Sequence, residues 1–299
     1  MNNSKQKTSL VKLYYLYRPV LLVLPAFIIF LIFFIIPVSS LFVIAFDKPV
    51  TGVLALQGEW TLKSFIRIYN RSLYFDAAIN SIFLATLSSF ITLIIGYPLA
   101  YLIAKTEHVG RNTILMILVL CAMQLDMVIR LFGLMVLLGD NGLINGMLLH
   151  FNIIQKPIGL MYNKLGVLIG LVQFSLPFMI LSLIGIIRGI NPAVIEASRS
   201  LGASPNQTFW KIILPLSMPG ILAGTLLVFA ISLSSYIVPA LMGGWKVMTM
   251  PLHVYQQIAE MGKWQFGSAI AVGSAVASAG CPCGIAPSVS TSFICLVPL

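Results

Sequence analysis

The stretch VLLVLPAFIIFLIFFIIPVSSLFVIAF, Val20 to Phe46, runs for 27 residues without a charge, and its length decides the class of fold. A helix rises about 1.5 Å per residue, so about 20 apolar residues cross a hydrocarbon core about 30 Å thick. Lys5, Lys7, Lys12 and Arg18 precede the run, in the manner of a secretory signal. The apolar region of a signal peptide has only about 7 to 15 residues, so this segment is expected to stay in the membrane as an anchor.

Four more segments reach spanning length: Ile79 to Ala104, Ile114 to Leu138, Leu165 to Ile187, and Leu216 to Met242. A sixth is expected to begin near Phe266, in FGSAIAVGSAVASAG, and to be interrupted by CPCG and Pro287. Prolines at 25, 37, 98, 177, 219 and 239 lie within or beside the spans, where neighbouring helices can satisfy the freed backbone groups and kinks are expected.

Of 299 residues, 59% are hydrophobic and 9% charged, with a mean hydropathy of +1.00. One water-soluble core cannot hide that much apolar surface, so lipid is the expected solvent. A net charge of +10 also raises nucleic-acid binding, but the basic residues are scattered between apolar runs and form no patch, which excludes that class. With the N-terminus cytoplasmic, the inner segments hold nine Lys/Arg and two acids and the outer loops eight and five, an orientation that rests chiefly on the basic N-terminus. Cys121, Cys281, Cys283 and Cys295 form neither a disulfide framework nor a zinc-binding spacing. His108, His150 and His253 stand apart, so no metal and no cofactor are expected.

Between the fourth and fifth spans lies RGINPAVIEASRSLGASPNQTFWKIILPLSMPG, residues 188–220. Asn191 and Pro192 form a helix start, an amide cap followed by a ring that fixes the first helical φ. Gly202 suits the left-handed residue that ends such a helix. Ser204 and Gln207 are spaced as a capping box, and Pro215 marks the next break. The expectation is helix, turn, helix. Ala193, Ala197 and Leu201 fall at i, i+4 and i+8, a stripe that lets another protein approach closely. The alternative is an interfacial helix with Ile195 and Leu201 buried against head groups.

Glu196, Ala197, Ser198, Gly202, Ile212, Leu214 and Pro215 resemble the EAA loop of binding-protein-dependent ABC importer permeases, EAA-x3-G-x9-I-x-LP. Every spacing fits, and only Ser198 departs, in place of the second alanine. The resemblance implies that these residues form the coupling helix that sits in a cleft of an ATP-binding cassette ATPase. It implies further partners as well: a second permease subunit, a periplasmic solute-binding protein and the lipid bilayer, in a bacterial inner membrane that the chain crosses several times. VIRLFGLMVLLGDNGLIN from Val128, LPFMIL from Leu176, SSYIVPALMGG from Ser234 and WQFGSAIAV from Trp264 look like the spermidine/putrescine branch. Related branches import sulfate, molybdate, iron or phosphonates on the same scaffold. The fold expected is an all-α, polytopic transmembrane bundle of about six spans with a cytoplasmic coupling-helix loop. It divides into a cytoplasmic segment 1–19, a permease domain 20–272 with the coupling loop at 188–215, and a tail 273–299. The likeness ends at Val272, and the chargeless tail is what a frameshifted or altered end would produce. It is expected to pack poorly as a sixth helix.

Four residues are candidates for the translocation path. Asp126 and Arg130, four apart midway along the third span, read as an intrahelical ion pair or as part of a polar pathway. Tyr236 and Pro239 lie in the outer part of the fifth span, where Pro219 and Pro239 also read as plain kinks. No phosphate-binding G-x-x-x-x-G-K-[ST] occurs, so an importer would draw its energy from a partner that hydrolyses ATP and would not itself be an enzyme. A secondary transporter would show inverted repeats, and none is detectable. An intramembrane enzyme needs a catalytic pair within the spans, and Asp126 is the only acid there.

Overall fold

The computed structural model describes residues 23–48, 58, 60–106 and 108–285, with the backbone alone for Val109 and 276–285. Among them there is no strand, only an isolated antiparallel bridge between Asp47 and Trp60. The chain divides into two compact units, one drawn from 1–70 and 256–299, the other formed by 71–255.

In the first unit, α1 (Val23–Ala45) is exposed at every residue as far as Val43. An apolar helix exposed all round is one whose solvent is lipid. Its polar side chains are satisfied internally, Ser39 donating to the Ile36 carbonyl (2.8 Å) and Ser40 to that of Pro37 (2.7 Å), as a medium without water requires. α2 (Lys63–Tyr69) and α13 (Trp264–Ile285) complete the unit, and α13 packs beside both α1 and α2. The Arg67 guanidinium stands over the Phe266 ring at 5.0 Å. CPCG does not interrupt α13, which continues through residues 281–284 to Ile285. A proline removes a single donor, and the helix keeps its remaining bonds. Pro287 lies outside the described residues.

The second unit is built on three helices that pack against one another: α3 (Ser72–Lys105), α7 (Lys164–Gly189) and α10 (Met218–Ser234). Between apolar helices in lipid no hydrophobic driving force operates, so close approach of small residues and interhelical hydrogen bonds hold the contact. Gly96 and Gly224 both face Met179, and Gly220 faces Ile186. Ser88 donates to Ser232 (3.0 Å), Thr92 and Ser175 share a hydrogen bond (3.3 Å), and so do Tyr97 and Ser217 (2.9 Å). Pro98 and Pro177 sit inside continuous helices.

Two of the expected continuous spans are broken. The third is split into α4 (Val109–Gln124) and α5 (Met127–Leu138), followed by α6 (Leu143–His150). The cause of the split is local: Asp126 accepts hydrogen bonds from the Val128 and Ile129 N–H groups (2.8 and 3.4 Å) and starts α5 as its N-cap, a role in which a carboxylate competes with helix continuation. The fifth ends at Ser234, passes through an extended Ser235 and resumes as α11 (Ile237–Gly243), after which comes the short α12 (Met250–Tyr255). Among the described residues four helical stretches are long and apolar enough to cross a membrane, α1, α3, α7 and Met127–His150, the last being α5 and α6 taken together, or five if Pro205–Leu216 and Met218–Ser234, bent by 61° at their junction, form one span.

Candidate functional site

The loop between α7 and α10 contains α8 (Pro192–Ser200) and α9 (Pro205–Leu216), the latter with a π-helical turn at Phe209–Ile213. Each local signal takes the form its chemistry dictates. The Asn191 amide oxygen accepts from Ala193 N–H (3.0 Å). Gly202 has φ +82°, Gly202 N–H donates to the Arg199 carbonyl (2.9 Å) and Ala203 N–H to that of Ser198 (3.1 Å). That bond pair is a Schellman ending, which needs a left-handed residue at Gly202. Ser204 and Gln207 form the reciprocal capping box, with Ser204 N–H on Gln207 Oε1 at 3.0 Å and Gln207 N–H on Ser204 Oγ at 3.3 Å. The break after α9 falls at Ser217, two residues beyond Pro215.

The two faces of α8 differ sharply. Ile195 is buried with Ile190 and Ile213, and Ser198 is buried at 6% exposure. Ala193, Glu196 and Ala197 are exposed, and Leu201 is 89% exposed. Ile195 thus packs against the protein, while Leu201 stands outward with the small residues Ala193 and Ala197. The Glu196 carboxylate makes no hydrogen bond or ion pair with any described residue. Of the remaining pattern residues, Ile212 and Leu214 are half-buried, Leu214 packing against the cluster around Met179, and Pro215 is exposed.

Sequence reasoning overlooked the residues that tie the loop to the bundle. Phe209 meets the rings of Tyr97 and Tyr101 edge-on, with centroids at 5.7 and 5.4 Å. The Tyr97 hydroxyl reaches Ser217 at the foot of α10, and Ser217 also donates to the Leu214 carbonyl (2.8 Å). Arg188 at the end of α7 donates to Asn112 Oδ1 at the start of α4 (2.8 Å). The one available signal was Phe209, an aromatic just after the capping box.

The four path candidates lie at the two span breaks. Asp126 is exposed and engaged as a helix cap, while Arg130 stands over the Phe174 ring at 5.1 Å with its Nε unpartnered. No direct ion pair closes between them, since the carboxylate is turned onto the backbone of its own helix, although its charge still acts on the guanidinium. Tyr236 is partly exposed and stacks on Tyr255 (4.9 Å, 18°). Pro239 is buried within α11. Gly170 of α7 lets the elements converge: a Cβ there would lie 2.7 Å from Val238 Cγ1 of α11 and 3.4 Å from Leu131 Cδ2 of α5. Both breaks thus flank one level of α7. Among the described residues no cluster of His, Cys, Asp and Glu fits a metal ion.

The family model described as "Binding-protein-dependent transport system inner membrane component" matches residues 4–281, past both ends of 20–272. The chain is 36% identical over 216 residues to the spermidine/putrescine transport system permease protein PotB of Haemophilus influenzae, covering 72% of this chain and 75% of that one. It is likewise 36% identical to PotB of Escherichia coli K12, over 71% of this chain and 77% of the relative. In fold it is similar to a chain of a bacterial ABC transporter involved in the import of the acidic polysaccharide alginate, with a TM-score of 0.75 and 19% identity, covering 92% of this chain and 95% of that chain.

Proposed function

We propose a polyamine of the spermidine and putrescine kind as the solute of this chain, which belongs to the family of binding-protein-dependent transport system inner membrane components and is a permease subunit of an ABC importer. The observation that carries the solute is the 36% identity over nearly three quarters of the chain to permeases named for spermidine and putrescine. In this reading the chain crosses the bacterial inner membrane several times with its N-terminus and the 188–215 loop in the cytoplasm. A partner ATPase hydrolyses ATP, a second permease subunit completes the path, and a periplasmic binding protein delivers the solute.

The loop supports the coupling role. A capped helix presents Ala193, Glu196, Ala197 and Leu201 outward, a face small enough for a cleft to close on and carrying one carboxylate without a partner among the described residues. Its far side leads through Phe209 and Ser217 to α3 and α10. Movement imposed on α8 by an ATPase is thereby passed to two of the three central helices.

The path is assigned to the level of the two breaks, because non-helical backbone at membrane depth is tolerated only where it is buried in protein or lines a water-filled cavity. Asp126 offers a carboxylate and Tyr236 an aromatic face, the two groups that attract an ammonium ion. Arg130, laid on Phe174, is the feature least suited to a cation. The test is uptake of radiolabelled spermidine and putrescine in a strain deleted for its own polyamine importers, expressing this chain with the ATPase, second permease and binding protein from the same source. Saturable uptake that depends on this chain is expected. Transport of sulfate, iron or a phosphonate with none of either polyamine would overturn the solute assignment.

A further inference from the structure

We infer that the hydroxyls of Ser198 and Thr208 form a positioning clasp that sets the angle between α8 and α9, so that the exposed face of α8 and the foot of α10 move as one body. The permease reading gives that movement its purpose, but the clasp itself stands on separate geometry. Ser198 Oγ lies 3.0 Å from Thr208 Oγ1, across ten residues of chain, and both side chains are buried, at 6% and 3% exposure. Ser198 already donates its one proton to the Ile195 carbonyl (2.8 Å). Thr208 is therefore the donor to Ser198, and the direction of the bond is fixed.

The need for such a clasp follows from the rest of the loop. α8 has nine residues, too few to hold a shape by itself in water. The turn that joins it to α9 is bonded to α8 through Gly202 and Ala203 and to α9 through the Ser204 cap, none of these bonds links one arm directly to the other, and Leu201 there is exposed. Two ties remain between the arms. Ile195 against Ile213 is an apolar contact, which resists separation but not sliding. The hydroxyl bond is directional and resists rotation. It also sits directly before Phe209, the residue that bears on Tyr97 and Tyr101. Ser198 is the single position where this chain departs from the EAA pattern, and the departure is answered ten residues later by a hydroxyl that reaches it.

Spin labels at Arg199→Cys and Asn206→Cys, both exposed and neither on the presented face, in a background with the native cysteines replaced, report the angle between the arms in the assembled complex. Transport per ATP in proteoliposomes reports the coupling. Ser198→Ala restores the residue the pattern carries and is not expected to misfold; Thr208→Val removes the donor at equal size, and Thr208→Ser keeps it. We expect Ser198→Ala and Thr208→Val each to broaden the distance distribution and to lower transport per ATP by roughly fivefold, with no further loss in the double variant and wild-type behaviour in Thr208→Ser. A distribution unchanged in both single variants, or losses that multiply in the double, would overturn the clasp even if polyamine uptake is confirmed. A broadened distribution with unchanged transport per ATP would show that the angle plays no part in coupling, which equally overturns it. A complex that transports another solute leaves both readouts in force, so failure of the solute assignment is told apart from failure of the clasp.

Discussion

Asp126 shows how a side chain can bond to the backbone next to it where its spacing suggests a side-chain partner. Asp126 begins the helix on which Arg130 sits, and its carboxylate is taken up by the N–H groups of Val128 and Ile129. Asp126→Ala is therefore expected to cost about 1 kcal/mol of stability by removing the cap, and Asp126→Asn close to nothing, because an amide oxygen caps as well. With Arg130→Gln the combined loss should fall somewhat short of additive, because the Asp126 charge acts on Arg130. Thermal unfolding in detergent of both single variants and the double measures this, and a double milder than the worse single would restore the ion pair. Gly202 is sensitive for a different reason. A Cβ at Gly202 meets nothing within 4 Å, so damage inside the chain is confined to the left-handed backbone, about 1–2 kcal/mol for most residues. Gly202→Asp should reach the membrane at a normal level yet lose ATPase co-purification. Gly202→Asn, which tolerates this conformation, should retain more of it than Gly202→Val.

Among the elements, the contacts of α7 with α10 depend on glycines whose neighbours differ in stiffness. A Cβ at Gly220 would stand 2.9 Å from Ile186 Cγ1 and 3.0 Å from its Cβ, while one at Gly224 would stand 2.8 Å from the sulfur of Met179. Isoleucine is branched at Cβ and has little freedom at χ1, whereas methionine bends out of the way. Gly220→Ala is thus expected to destabilise by about 1–3 kcal/mol and Gly224→Ala by clearly less. Melting of the two variants in one detergent ranks them, and equal losses would show that the helices, rather than the side chains, absorb the strain.

At the level of the whole molecule, the loop can couple to an ATPase only if it faces the compartment where ATP is. A cysteine at Asn206, which is exposed, in a background that also replaces the exposed Cys121, is expected to be silent to an impermeant thiol reagent added to intact cells and to react after permeabilisation. Reaction in intact cells would invert the orientation and remove the coupling role. The two compact units give this chain an anchor built from its two ends and a second body that carries both the loop and the broken spans.

The residues of 188–215 determined their own local structure, because caps, a proline start and a left-handed glycine act through bonds no more than five residues apart. The same holds for α1, whose uninterrupted apolar length leaves lipid as its only suitable solvent. What the tertiary structure alone decided was where long helices stop and what their polar groups meet. Ile114 to Leu138 looks continuous in hydropathy, which does not register a side chain that turns back to cap. Leu216 to Met242 likewise hides its break at Ser235. The partnership of Ser198 with Thr208 and the seat of Phe209 on Tyr97 and Tyr101 join positions ten and roughly a hundred residues apart. Such contacts exist only once the helices have packed, since periodicity along one helix records which face is apolar but not which neighbour covers it.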